Sequence, residues 1–336
     1  MSYGFTFDDI KDLSGKVAIV TGGNSGLGEV IARELARKHA KVYIAARSPA
    51  RAEQAIARIK AALSDVDGLD DNLLFLELDL ETMKGSVAAA KFFMKLESRL
   101  DILVANAGLG ATKSELTPDG YERNFGVNHL GHFAFITTLL PLIEKTATEH
   151  PESDIRIVLQ SSTIHYRATK IDYSDVTKTY KSSWSALTLQ EMMGRYARSK
   201  LANVYLSREL SERLKDYKNI YVNACHPGLV YTHIFDLSTS PLPSWMQYIG
   251  SRHAWLCGVP LDDGVKTALF LATDKRVVTE NIKKVFMYPG PQTPLAGFFY
   301  CSSVFPKPLN SIGSDDEEAR KLWEFSEQAL AKATAS

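Results

Sequence analysis

The sequence has few cysteines and no excess of charge of either sign, and these two absences already exclude several classes of protein. It has 3 cysteines, at 225, 257 and 301, a scatter that fits neither a disulfide framework nor a metal site. Lysine plus arginine and aspartate plus glutamate each number 39, so nothing indicates a nucleic-acid partner or an anionic membrane surface. We therefore expect a protein of a reducing compartment that binds neither metal nor nucleic acid.

Long apolar segments are missing as well. The N-terminal stretch MSYGFTFDDIKDLSG is acidic and lacks the apolar centre of a signal peptide. The longest apolar run, 133–143, contains Pro141 and is much shorter than the ~20 residues that span a bilayer. The sequence predicts a cytoplasmic protein without a transmembrane segment.

Short apolar runs alternate with helical patterns along the chain. Strands are predicted at 17–20, 41–46, 73–78, 101–105, 155–160 and 220–224, and helices at 29–40, 50–63, 81–98, 121–146 and 192–215. We therefore expect a three-layer α/β fold with a doubly wound parallel sheet, the Rossmann fold. One domain should cover 15–290, with an excursion at 166–192, a substrate lid at 229–260 and a tail at 291–336 packed on the domain.

A glycine-rich loop stands between the first predicted strand and the first helix. Its glycines let the backbone approach a ligand closely, and the helix start offers N–H groups and a positive dipole end to a pyrophosphate. Strand, loop and helix in this order predict a dinucleotide site, although a bare structural turn could use the same residues. The candidate cofactor-binding residues of the loop are Gly22, Asn24, Ser25, Gly26, Leu27 and Gly28.

The end of the second predicted strand indicates which dinucleotide binds. An acidic residue there would bond an unphosphorylated ribose, whereas an arginine accommodates a 2′-phosphate. The chain has Arg47 at this point, and a guanidinium matches phosphate oxygens in a two-pronged geometry. The alternative is a solvated arginine at a helix start. We expect NADP(H) as the cofactor.

Two residues four positions apart, Tyr196 and Lys200, share one face of a predicted helix. A phenol is a poor base at neutral pH, and a nearby ammonium is expected to lower its pKa by about two to three units. Taken alone, such a pair is more often an aromatic and a charge on a helix surface. Together with the residues below, it predicts proton transfer.

Further polar residues follow predicted strands or interrupt an apolar helix. Ser162 comes just after the fifth strand, at the edge where open parallel sheets bind ligands, and could hold a carbonyl oxygen. Asn106, Ala107 and Gly108 follow the fourth strand and should line the cofactor. Asn128 is polar within an apolar helix, where a kink or a buried structural amide is the alternative interpretation.

Six motifs in order resemble the short-chain dehydrogenase/reductase family. They are TGGNSGLG at 21–28, ANAG at 105–108, VNHLGHF at 127–133, the serine pair at 161–162, YARSK at 196–200 and HPGLVYT at 226–232. VNHLGHF and the C-terminal ARKLWEFSE are similar to the branch of the retinol dehydrogenases and the WW-domain-containing oxidoreductase, with its relatives from fungal secondary metabolism. The resemblance implies an NADP-dependent oxidoreductase acting on alcohol and carbonyl groups.

The resemblance also implies roles for single residues. Tyr196 would protonate the carbonyl oxygen as general acid, and Lys200 would bind the nicotinamide ribose and depress the tyrosine pKa. Ser162 would hydrogen-bond the substrate oxygen, and Asn128 would anchor a water in the proton relay. The implied cofactor contacts are Asp79 to the adenine and Pro227, Gly228 and Thr232 to the nicotinamide amide.

One spacing departs from the family. Ser162 and Tyr196 are 34 positions apart, whereas about a dozen is usual, so the shape of the substrate entrance is in doubt. The predicted lid is rich in large side chains, which are Tyr231, Phe235, Trp245, Met246, Tyr248 and Trp255. We expect a bulky apolar substrate, because small-molecule pockets are mostly apolar. A catalytically silent nucleotide-binding regulator, an enzyme repurposed for isomerisation or imine reduction, and a homodimer remain open.

Overall fold

A nine-stranded sheet runs through the protein, of which a computed structural model describes residues 2–110, 114–179, 186–228, 230, 259–290, 293–295, 298–300 and 303–335. The strands are β1 (Tyr3–Gly4), β2 (Val17–Thr21), β3 (Lys41–Ala46), β4 (Leu73–Glu77), β5 (Ile102–Ala105), β6 (Ile155–Gln160), β7 (Ile220–Cys225), β8 (Phe286–Pro289), β9 (Thr293–Leu295), β10 (Phe298–Tyr300) and β11 (Ser303–Pro306). The sheet has the order β1-β11-β8-β7-β6-β5-β2-β3-β4, and β9 and β10 pair separately. From β8 to β4 all neighbours are parallel.

The strand order creates one crevice at the edge where the parallel strands end. From β2 the chain moves outward to β3 and β4, and then returns to β5 on the other side of β2. This reversal is the topological switch point, where open parallel sheets bind their ligands. Every residue of β2, β5, β6 and β7 is buried, as expected for aliphatic strands covered on both faces.

Helices cover both faces of the sheet. They are α1 (Gly26–Arg37), α2 (Pro49–Ala62), α3 (Leu69–Asn72), α4 (Met83–Leu96), α5 (Arg123–Phe125), α6 (His132–Glu149), α7 (Ala186–Arg213), α8 (Leu261–Gly264), α9 (Lys266–Thr273), α10 (Arg276–Thr279) and α11 (Asp316–Ala335). On one face Leu35 and Phe270 pack in the core, and on the other Phe93 and Phe133 do. Full burial of such a side chain contributes about 1.5–3 kcal/mol. The predicted three-layer, doubly wound α/β fold is confirmed.

The long helical stretch predicted over 121–146 is present as one helix, Arg123–Glu149, but part of its first half is not α-helical. The segment Gly126–Gly131 is a π-helix between α5 and α6. A Cβ placed on Gly131 would lie 3.0 Å from the Leu80 Cβ, and closer still to the Leu80 carbonyl oxygen, so this turn packs directly on the backbone before α4. This 6-residue segment is too short to show a hydrophobic period of its own, so the apolar pattern did not distinguish it from the flanking α-helices.

The segment Arg123–Glu149 is long and apolar enough to cross a membrane by length and composition alone. However, 78% of its apolar window is buried inside the fold, where α6 packs beneath the sheet. Its hydropathy is accounted for by its place in the core.

Elements outside 15–290 complete the sheet and one of its faces. β11 joins β8, and β1 joins β11, both in antiparallel pairing. α11 packs against α7 and α4. Both strands are too short to show a periodic pattern, so only the packing of the tail was predicted.

The excursion and the lid are described only in part. Within the excursion, Ala168, Ile171 and Val176 are buried beside Tyr205 of α7 and Leu322 of α11. Of the lid, Val230 forms a parallel bridge with Val259. The six large lid side chains on which the substrate prediction rests lie outside the described residues.

Candidate functional site

The loop between β2 and α1 is so tight that its last glycine has no room for a side chain. The N–H of Gly22 donates to the Ala45 carbonyl oxygen at 2.8 Å, and Gly22 and Gly26 have positive φ angles of 67° and 56°. A Cβ placed on Gly28 would overlap the Gly22 carbonyl oxygen and lie 2.6 Å from Nδ2 of Asn106. The missing Cβ of Gly28 thus lets the first turn of α1 pack against Gly22 and Asn106, and this helix start can offer its N–H groups to a pyrophosphate.

Polar groups tie this loop to the loop after β5. The Thr21 carbonyl oxygen accepts a hydrogen bond from Nδ2 of Asn106 at 2.9 Å, and Thr21 Oγ1 accepts one from the N–H of Ala107 at 2.9 Å. The two loops therefore hold each other across the switch point. Ser25 precedes α1 with extended backbone and makes no side-chain capping bond, so its hydroxyl leaves the helix start accessible.

Two arginines, each paired with a carboxylate, lie near the position predicted for the adenosine half of the cofactor. Arg47 follows β3 with a side chain that is 64% exposed, and its Nη1 lies 3.5 Å from the Glu81 carboxylate. The nearer partner of Glu81 is Arg123, at 2.6 Å. Arg58 of α2 donates to the Asn24 carbonyl oxygen at 3.4 Å, a contact to the loop that sequence reasoning missed.

The other predicted cofactor residues lie near the same edge or outside the described residues. Leu27 packs against the core at the start of α1. Asp79, two residues after β4, accepts a hydrogen bond from the backbone N–H two positions on at 3.1 Å. Pro227 and Gly228 follow β7, and Gly228 has a φ of 88°. Thr232 lies outside the described residues.

Asn128 sits in the π-helix with its amide fully engaged. Its Oδ1 accepts from the N–H of Leu109 at 2.7 Å, and its Nδ2 donates to the Leu109 carbonyl oxygen and to Ser199 Oγ, each at 3.0 Å. A Cβ on Gly108 would lie 3.2 Å from both Asn128 Oδ1 and Lys200 Nζ. The π-helix, the loop after β5 and α7 therefore meet at one point. Because both amide N–H groups are used, a water held by Asn128 would need another atom as its partner.

Ser162, Tyr196 and Lys200 converge beside the carboxyl end of β6. The Ser162 side chain hydrogen-bonds the Tyr196 phenol and also accepts from the N–H of Ile164 at 3.3 Å. Lys200 Nζ lies 5.7 Å from the centroid of the Tyr196 ring and donates to the Gln160 carbonyl oxygen at 3.2 Å. A hydroxyl, a phenol and an ammonium group thus share one small volume next to Asn128 and Gly108.

Burial controls the electrostatics of this pair. It raises the pKa of Tyr196 to about 12, against a smaller lowering effect of the Ser162 hydrogen bond. It lowers the pKa of Lys200 to about 8. The predicted lowering of the tyrosine pKa is therefore wrong for this geometry, because desolvation outweighs the ammonium group, which is bound to Gln160. At neutral pH the phenol keeps its proton, the state that a proton donor needs.

Comparison with known proteins identifies the family of the chain. A model of the short chain dehydrogenase family matches residues 16–174. The chain is 34% identical over 331 residues to the short chain dehydrogenase/reductase dpchH of Colletotrichum higginsianum, covering 96% of this chain and 76% of that protein. It is 33% identical over 327 residues to retinol dehydrogenase 14 of Mus musculus, covering 94% and 86%. The chain belongs to the short-chain dehydrogenase/reductase family.

Solved structures share the fold of this short-chain dehydrogenase/reductase. An uncharacterized protein from Mycobacterium paratuberculosis superposes with a TM-score of 0.68 at 27% identity, covering 98% of each chain. The 3-ketoacyl-(acyl-carrier-protein) reductase of Brucella melitensis, complexed with NADH, gives a TM-score of 0.59 at 24% identity, covering 82% of this chain and 97% of that one. Members of the family bind nicotinamide cofactors.

Several residues that shape the site of this short-chain dehydrogenase/reductase were missed from the sequence. Buried Glu122 accepts from the N–H groups of Asn124 and Phe125 at 3.0 and 3.1 Å, and lies 3.5 Å from Nε of Arg195. One carboxylate thus caps the helical segment of Asn128 and contacts the residue before Tyr196. Ser199 and Gln160 also contact site residues. The only sign of this in the sequence was that they lie next to, or near, predicted site residues along the chain.

Proposed function

We propose that the protein is an NADP(H)-dependent oxidoreductase that interconverts a ketone or aldehyde and an alcohol. The observation that carries this is the convergence of Ser162, Tyr196 and Lys200 beside the glycine loop. A bound nicotinamide cofactor would supply or accept the hydride. The tight backbone around Gly28 fits a pyrophosphate, and Asn106 and Gly108 line the same edge.

The proton chemistry belongs to the chain's own residues. In the reductive direction, Tyr196 donates its phenolic proton to the carbonyl oxygen, which the Ser162 hydroxyl orients. A pKa of Tyr196 raised to about 12 keeps that proton in place until negative charge develops on the substrate oxygen. Lys200, with a pKa lowered to about 8, lies close enough to stabilise the phenolate that results.

Arg47 supports a preference for NADP(H). Its guanidinium is largely exposed, and its contact with Glu81 is long at 3.5 Å, so it can turn toward a 2′-phosphate. Arg58 also lies beside the loop, but its guanidinium is paired with Glu29 through hydrogen bonds of 2.7 and 2.8 Å. Glu81 stays paired with Arg123 when Arg47 moves, because that ion pair is much shorter at 2.6 Å.

A bulky apolar alcohol or carbonyl compound, such as a polyketide- or terpenoid-like ketone, is the proposed substrate class. The density of large side chains in the lid supports it, as does the similarity to proteins named retinol dehydrogenase. Burying about 100 Å² more apolar surface favours a larger substrate by about 2.5 kcal/mol. Comparing kcat/KM for a polycyclic ketone and a small keto acid tests this, and a preference for the small polar one would refute it.

The reaction is tested by incubating the protein with NADPH and a panel of ketones, aldehydes, imines and enones. Tyr196→Phe is expected to lower kcat at least hundredfold, about 2.7 kcal/mol of barrier, without changing NADPH binding. Tyr205→Phe is the matched control, because it removes a hydroxyl of the same helix that bonds the Ile312 carbonyl oxygen at 2.8 Å. It should lower stability by about 1 kcal/mol and leave kcat intact. More than a tenth of wild-type kcat in Tyr196→Phe would rule out the assigned role.

A further inference from the structure

A buried histidine joins the two halves of the site. His132, at the start of α6, has a side chain that is only 1% exposed. Its Nε2 lies 3.0 Å from Thr21 Oγ1, and its Nδ1 lies 3.1 Å from the Asn128 carbonyl oxygen. Thr21 opens the glycine loop, and Asn128 lies in the π-helix, so one imidazole spans the two elements.

The surrounding groups allow only one arrangement of hydrogens. The Asn128 carbonyl oxygen can only accept, so Nδ1 of His132 carries the hydrogen. Thr21 Oγ1 already accepts from the N–H of Ala107 at 2.9 Å, and its own hydrogen is left to donate to Nε2. Burial, with a smaller effect of the Lys200 charge, lowers the pKa of His132 to about 4. The ring is therefore the neutral Nδ1–H tautomer.

This chain of hydrogen bonds runs from the glycine loop to Asn128 in the candidate site. The Asn128 side chain binds Leu109 and Ser199, and its direction depends on the backbone of the π-helix. The imidazole holds the carbonyl of that same residue. Thr21 of the cofactor loop and the backbone of Asn128 are therefore bound to opposite ends of one ring, and Asn128 contacts through Ser199 the helix that carries Lys200.

We propose that His132 is a positioning residue that, as the neutral Nδ1–H tautomer, holds Thr21 of the cofactor loop at its Nε2 end and the backbone of Asn128 at its Nδ1 end. The effect on turnover rests on the proposed oxidoreductase function. The tautomer and the effect on cofactor binding do not.

Two substitutions of His132 each keep one of the two hydrogen bonds of the imidazole and remove the other. In His132→Asn, the amide N–H takes the place of Nδ1–H and keeps the bond to Asn128, but does not reach Thr21. In His132→Gln, the longer amide keeps the contact to Thr21 and loses the hold on Asn128. We expect the Asn variant to keep at least a third of kcat while its Kd for NADPH rises at least fivefold. The Gln variant should lose at least tenfold in kcat with Kd within twofold.

His129→Gln is the matched control. His129 is an equally buried histidine of the π-helix, but its Nε2 lies 2.8 Å from Ser326 Oγ on α11, away from the loop. It should leave kcat and the Kd for NADPH within twofold of wild type. The same change in kcat and Kd for the two His132 variants, or none, would overturn the separate roles of the two ends of the ring.

Nitrogen-15 NMR of the imidazoles tests the tautomer in the unaltered protein, with His132 assigned through its backbone. A neutral Nδ1–H ring at pH 7 is expected. An Nε2–H ring or an imidazolium overturns the proposal even if the variants do not fold. If the wild type binds NADPH but reduces no carbonyl compound, the proposed function fails, and the NMR and Kd measurements still decide the role of His132.

Discussion

Two buried charges lie at opposite edges of the same sheet. One is surrounded by several hydrogen-bonding partners, and the other has a single partner. Asp101, just before β5, has a fully buried carboxylate that accepts from the N–H of Val17 at 2.9 Å, from Ser153 at 2.7 Å and from Arg99 at 2.6 and 2.9 Å. Lys200, beside the end of β6, donates to a single backbone oxygen at 3.2 Å, and no carboxylate in the described part of the chain pairs with it.

The difference separates a structural charge from a functional one. Burial would raise the pKa of Asp101, but Arg99 and the other donors outweigh it and hold that pKa below its usual value. Nothing compensates the burial of Lys200, and its pKa falls to about 8. An ion left with little compensation lowers stability and stays ready to act on a neighbouring group. The carboxyl edge of the sheet is therefore built for chemistry, and the opposite edge for stability.

The largest expected effect is a loss of stability in mild acid that originates at the carboxyl edge. The buried histidines there have pKa values lowered by burial to about 3 or 4; they are His129, His132, His165 and His226. Between pH 7.5 and 5.5 the unfolded chain binds their protons and the folded chain does not. The free energy of unfolding should therefore fall by about 1.4 kcal/mol for each, about 5 kcal/mol in all.

Urea unfolding at the two pH values measures this loss. Carboxylates with lowered pKa, such as Asp101, lose their contribution only at lower pH and do not add to it. His129→Gln should remove about a quarter of the change. A pH-independent free energy would show that these rings ionise in the folded protein.

Asp101→Asn should cause the next largest loss in the free energy of unfolding. Removing one partner of a buried ion pair costs about 3–5 kcal/mol, and the amide keeps only part of the hydrogen bonding. Chemical unfolding at pH 7.5 measures the loss, while kcat per folded molecule should not change. The surface pair Asp12 and His39 gives the control, since Asp12→Asn should leave the unfolding midpoint where it is. Equal midpoints for both variants would remove the contrast between the two edges.

Lys200→Met should change stability in the opposite direction. A folded-state pKa of about 8 against an ordinary value near 10.4 means that the charged amine destabilises the fold by about 2–3 kcal/mol at pH 7. That penalty fades as the pH rises from 8 to 10.4, because the folded chain loses its proton first. The variant should therefore be about 2 kcal/mol more stable at pH 7 and inactive. A destabilised variant would mean that the hydrogen bond to the Gln160 carbonyl oxygen more than compensates the burial of the ammonium group.

Arg47→Asp should have the smallest effect on stability. An exposed guanidinium contributes little to the fold, so stability should stay within about 0.5 kcal/mol. The preference for NADPH over NADH in kcat/KM is expected to exceed tenfold in the wild type, about 1.4 kcal/mol, and to vanish or reverse. Arg51→Asp, one helical turn on, is the control. Equal kcat/KM for both cofactors in the wild type would contradict the assignment of Arg47.

Short-range sequence patterns predicted the parts of the molecule whose conformation depends on residues close together in the chain. The glycine loop and the alternating strands and helices follow from backbone freedom and hydrophobic period, so the fold could be predicted from the sequence. The π-helix around Asn128 could not, because its wide turn is fixed by contact with Leu80. The raised pKa of Tyr196 could not either, since burial and the diversion of Lys200 to Gln160 appear only after packing.

The pairing of β1 with β11 bears on how the protein is made. Tyr3 pairs with Val304, so during synthesis β1 meets its neighbouring strand only about 300 residues later. At about 5–20 residues per second, β1 waits on the order of 15–60 s, whereas the edge of β8 waits only for the short segment up to β11. Phe5, 1% exposed in the finished fold, stays uncovered for much of that time. Synthesis therefore passes through a long interval in which β1 has no partner strand.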